Sequence, residues 1–105
     1  MLTAEAERPA ALRELERILA SPGFARNARL SRFLRFVVES HLMGKDGELK
    51  ESLVAIEVFG RSPDYDPKQD PIVRTEAIRL RARLGEYYLG EGKDDPLIIE
   101  LPKGG

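Results

Sequence analysis

Residues Asp70–Gly90 read DPIVRTEAIRLRARLGEYYLG, a helix that carries its own punctuation. Asp70 is a good N-cap, because its carboxylate accepts the free N–H groups of the first turn. Pro71 follows at a position where a missing N–H costs nothing. Gly90 is expected to supply a left-handed stop. Between them Val73, Ala77, Leu80, Leu84 and Tyr87 recur at three- and four-residue intervals, which gives the helix one apolar face. Thr75, Arg79 and Arg83 fall roughly opposite that stripe, and Arg74 and Arg81 lie along a flank. One side is built for a core. The other is an arginine-bearing surface left for something else.

Upstream, residues 9–20 (PAALRELERILA) predict a short first helix with Leu12, Leu15, Ile18 and Leu19 as its stripe, ended by Ser21-Pro22-Gly23. Asn27 caps a second, broadly apolar helix that runs to Gly44, with Leu30, Phe33, Leu34, Val37, Val38 and Leu42 facing inward. A third helix is expected over roughly 48–59, closed by Gly60. The prolines of RSPDYDPKQDP forbid continuous helix from there to Asp70. Downstream, LIIEL at 97–101 is the one convincing strand and PKGG is a turn signal. A lone strand leaves its backbone groups unpaired, so either it pairs elsewhere or the wing it begins is incomplete.

The 105 residues make one domain over 1–105, with the first eight expected to be loosely held; 42% are apolar and 33% charged. With no cysteine, thiolate chemistry and disulfides are excluded and a cytoplasmic setting is expected. No apolar run approaches a membrane span, and the opening residues lack the pattern of a signal peptide. The formal net charge of −1 does not by itself call for a polyanion. Its distribution is more telling. Residues 24–37 hold four arginines and no acid, residues 71–89 four arginines against Glu76 and Glu86, and the acids gather in the connections. Basic helices between acidic loops give either a polarised surface or ordinary solvated helix faces.

Helices, then an arginine-bearing helix, a strand and a Gly-rich turn follow the order of a winged helix-turn-helix: mainly α, about four helices plus a short C-terminal β element. VRTEAIRLRARL followed by IIELPKGG resembles the recognition helix and wing of response-regulator output domains. More specifically, VFGRSPDYDP, DPIVR, RLRARLGEYY and LPKGG resemble an N-terminal winged-helix-like domain of bacterial proteins. That domain often precedes adenylate-cyclase, TolB-like or tetratricopeptide regions, and the likeness covers roughly residues 12–105. It implies a DNA-binding, transcription-regulatory module with 71–89 as recognition helix. Two departures stand out. About ten residues separate the motif helices where three or four are usual, and the second wing strand of the family is missing.

On the DNA reading Arg74, Thr75, Ile78 and Arg79 face the groove, while Arg83 and Lys103 reach phosphate. Arg26, Arg29, Arg32 and Arg35 are candidates for a flank against the backbone. The plainer alternative pairs the helix arginines with Glu76 and Glu86 at helical spacing. A rival class is a non-enzymatic interaction or signalling module, touching a second copy or a partner domain through Ile78, Tyr87 or Tyr88. Asp64, Asp66 and Asp70 invite a calcium loop, but glycine and glutamate are missing where such a loop needs them, so turn and capping roles fit better. His41 is the sole histidine and there is no cysteine, so no nucleophile–base pair can be assembled. No enzyme, cofactor, metal or small-molecule substrate is expected, and double-stranded DNA is the expected partner.

Overall fold

A computed structural model describes residues 8–45 and 50–101 of the chain. Among these residues the chain is mainly helical: α1 (Arg8–Ala20), α2 (Pro22–Ala25), α3 (Ala28–Leu42), α4 (Glu51–Phe59) and α5 (Ile72–Leu89). α3 is the hub and packs against the other four. Its sequence explains why. Asn27 caps its start by accepting the Leu30 N–H at 3.1 Å, and Leu30, Phe33, Leu34, Val37 and Val38 are all buried. Leu15 and Ile18 of α1, Phe24 of α2, Val54, Ala55 and Val58 of α4, and Val73, Leu80, Leu84 and Tyr87 of α5 complete the core around it. Phe33 and Phe59 lock α3 to α4 edge to face, with ring centres 5.3 Å apart. Among the described residues no helix is long and apolar enough to cross a membrane.

The helix ends follow local chemistry. Gly44 and Gly60 stop α3 and α4 in the left-handed region, at φ of 73° and 67°. Gly60→Ala is expected to cost about 1 kcal/mol, since a Cβ there meets no neighbour and only the backbone conformation is penalised. Chemical denaturation would read it. Gly90 is a correction: its φ of −118° and ψ of −101° are not left-handed, and its N–H returns to Glu86 and Tyr87 carbonyls. The chain turns there because Gly92 N–H bonds the Tyr87 carbonyl at 2.7 Å. A second difference is α2, a single turn begun by Pro22 where only a helix stop was expected.

The long connection between α4 and α5 is folded. Arg61 N–H bonds the Ala55 carbonyl, turns close at Tyr65 and Gln69, and Tyr65 Oη donates to the Asp70 carbonyl at 2.7 Å. Its acids do what turn chemistry asks. Asp64 accepts from Ser62 Oγ, and Asp66 accepts from the Lys68 N–H at 3.0 Å. Asp70 accepts from the Ile72 N–H at 3.2 Å and from Arg61 at 2.7 Å. The helix starts at Ile72 with Pro71 in the cap position, one residue later than expected, so Asp70 holds the first helical N–H from just outside the cap.

The expected strand at 97–101 forms no ladder among the described residues. Ile99 and Leu101 are buried while Ile98 and Glu100 are exposed, which is the alternation of a strand without a neighbouring strand. Side chains of α5 pair its backbone instead. Ile99 N–H donates to Tyr88 Oη at 2.9 Å, and Arg81 Nε donates to the Leu101 carbonyl at 3.1 Å. The turn at 102–105 lies outside the described residues.

Candidate nucleic-acid interface

The outer face of α5 is open. Arg74, Thr75, Ile78, Arg79, Ala82, Gly85, Glu86 and Leu89 are exposed, opposite the buried stripe. Of the residues expected to meet DNA, Thr75, Ile78 and Arg79 lie on this face. Arg74 is exposed at its edge and tied down, with Nε 3.2 Å from Glu51 of α4 and a second bond to the Pro67 carbonyl. Arg83 turns the other way. Its guanidinium donates to the Gly23 carbonyl at 3.0 Å and pins α5 to α2, so it is half-buried rather than presented outward. Lys103 lies outside the described residues.

The arginines of α3 separate. Arg35 leans on Glu16 of α1 at 3.0 Å, and Arg32 donates to the Val58 carbonyl at the end of α4. Arg29 alone crosses to α5. There it approaches Glu76 at 3.5 Å, and the same carboxylate oxygen takes Arg79 at 3.1 Å. The Glu76 side chain is only 3% exposed, whereas those of Arg29 and Arg79 are 56% and 66% exposed. A buried carboxylate needs partners, because losing water is costly for an unpaired charge. Two arginines supply that pairing and leave one positive charge in excess. The spacing pair Arg79–Glu76 is therefore real, as the plainer reading held, and it is joined by a helix that spacing within α5 does not reveal. Val73, Glu76 and Leu80 share helical spacing, and that was the available signal that Glu76 points inward.

A second polar centre lies toward the C-terminal end of α5. Glu14 of α1, fully buried, accepts from Tyr88 Oη at 2.7 Å and from Arg17 at 2.8 Å. Burial raises its carboxyl above the ordinary range, against the lowering pull of the Tyr88 and Arg17 bonds. Tyr87 Oη donates to Asp95 at 2.6 Å, and that bond holds the Asp95 carboxyl below its ordinary value. Both phenols are pushed upward, chiefly by burial. These tyrosines join α1, α5 and the 95–99 segment, and both hydroxyls are engaged within the fold. Glu14 went unread in the sequence, although it sits on the stripe of Ala11 and Ile18.

Comparison with models of known protein families, with characterised proteins and with solved structures returns no match.

Proposed function

We propose that this chain is a DNA-binding module of winged helix-turn-helix type, with α4 and α5 as the motif helices and the first half of α5 as its recognition surface. The observation that carries the reading is the convergence of Arg29 and Arg79 on the buried Glu76 carboxylate. The carboxylate fixes two guanidiniums from different helices with their outer donors in water, beside exposed Thr75 and Ile78. Fixed guanidiniums suit phosphate oxygens or a guanine edge. The absence of a ladder at 97–101 among the described residues favours the helix surface over a wing as the contact in this reading.

Fluorescence anisotropy of a labelled mixed-sequence duplex, titrated from low to physiological salt, tests this. Wild type is expected to bind with a steep salt dependence. An Arg29→Ala/Arg79→Ala double variant is expected to lose about ten- to a hundredfold at low salt, its salt slope falling by about one for each arginine that had met a phosphate. A folded wild-type chain that fails to bind at low salt would overturn the reading.

A second reading, an interaction module that meets protein and not DNA, has its own observation. Ile78 and Leu89 stand 63% and 86% exposed on the same face.

A further inference from the structure

On α5, Thr75, Ile78, Ala82, Gly85 and Leu89 are all exposed and follow each other at alternating intervals of three and four residues. That is the spacing of a helix–helix seam, and it lies opposite the stripe the fold already uses. Gly85 is the informative member. A glycine inside a helix costs about 0.5–1 kcal/mol relative to alanine. A Cβ there would meet nothing within 4 Å, so the fold of a single chain gains nothing from its absence. Small residues at 82 and 85 between apolar residues at 78 and 89 suit the close approach of another helix.

We infer that this face of α5 is self-complementary and pairs, antiparallel, with α5 of a second copy of the chain. The register follows from the seam. Ile78 meets Leu89 of the second copy, Ala82 meets its Gly85, and the two-fold axis repeats both contacts. Charge selects the same arrangement. Arg79 and Glu86 occupy one edge of the seam, and antiparallel pairing sets the same edges of the two copies face to face, which brings each Arg79 beside Glu86 of the other copy, twice over. The exposed Glu86 is available for this, and the several donors of Arg79 serve both Glu86 and its own Glu76. A helix of 18 residues is about 27 Å long. A single helix pair of that length lies at the small end of stable interfaces, so the association is weak and appears at high concentration. Because the seam contains Thr75 and Ile78 and is edged by Arg79, a paired α5 is closed to DNA, and a second copy competes with the duplex. The pairing itself does not depend on the DNA reading.

The absence of native cysteine makes the test direct. Ala82→Cys and Gly85→Cys variants are oxidised separately and as an equal mixture, without DNA. Antiparallel pairing links the mixture into the 82–85 cross-linked dimer faster than either variant links to itself; fastest self-linking of Ala82→Cys would overturn it. Sedimentation equilibrium of the unmodified chain supplies the non-covalent reading, with a monomer–dimer equilibrium expected at high concentration. Gly85→Gln is expected to raise the melting temperature, as a better helix former, and yet to abolish the dimer. Glu86→Arg, which sets Arg beside Arg79, is expected to weaken association about tenfold at low salt. A wild-type chain that stays monomeric throughout, or a Gly85→Gln chain that dimerises as well as wild type, would sink the inference. Neither result would touch DNA binding measured on dilute protein.

Discussion

Tyr88→Phe is expected to cost about 3 kcal/mol, a large loss for removing one oxygen. The Tyr88 hydroxyl has two partners. It donates to the fully buried Glu14 at 2.7 Å and accepts from the Ile99 N–H at 2.9 Å, so it ties α1, α5 and the terminal segment together. Phenylalanine keeps the ring but leaves the Ile99 N–H and the Glu14 Oε2 without this partner, while Arg17 still holds Glu14 Oε1. An unsatisfied buried polar atom costs its desolvation. In a domain of this size the melting temperature should fall by roughly 12–24 °C. The loss should also depend on pH. Burial already raises the Glu14 carboxyl, and the Tyr88 bond opposes that rise, so its removal raises the carboxyl further. A carboxyl raised in the folded state contributes stability that is present at low pH and lost as pH rises through its folded value. The deficit of Tyr88→Phe should therefore be largest near neutrality and shrink in mild acid. Denaturation at a series of pH values reads both effects; an equal deficit at every pH would show that Glu14 is not the group left stranded.

Gly92→Ala is expected to cost a similar amount, about 3 kcal/mol, by overpacking. An added Cβ would lie 2.1 Å from Tyr87 Cε2 and 2.6 Å from Cδ2. The ring cannot step aside cheaply. Its hydroxyl is bonded to Asp95 at 2.6 Å and its edge meets Tyr88 with ring centres 5.0 Å apart. Relief would unseat the turn after α5 and the segment behind it. Gly85→Ala is the control, since a Cβ there meets nothing within 4 Å and only helix propensity changes. It should stabilise by about 0.5–1 kcal/mol. Thermal melts of the two variants, moving in opposite directions, would separate a glycine the fold requires from one it does not.

The helices were legible because their signals are local. Asn27 and Asp70 accept the N–H groups expected of them, Gly44 and Gly60 end their helices, and the α3 stripe is buried as its spacing predicts. What was illegible depends on partners distant in sequence. LIIEL has the composition and alternation of a strand, but a strand exists only beside another, and here α5 side chains take its backbone groups. Arg83 lies near the open face by angle alone; a carbonyl of α2 sixty residues away draws it inward. Arg29 looked like one of a row on α3, and only packing shows that it shares Glu76 with Arg79 while Arg32 and Arg35 turn elsewhere. Periodicity finds the face of a helix. It does not say which long side chains at its edges are spent on the fold.

Amide chemical-shift mapping of the 15N-labelled chain, kept dilute and titrated with a short duplex at low salt, tests the central claim most directly. The largest changes should fall on Arg29, Thr75, Ile78 and Arg79, around the shared Glu76, and should reverse as salt is added. Residues of α1 and the 97–101 segment, around Glu14, should be spared. Changes centred there, or none at all from a folded chain, would contradict the assignment of the α3–α5 arginine pair as a DNA-binding surface.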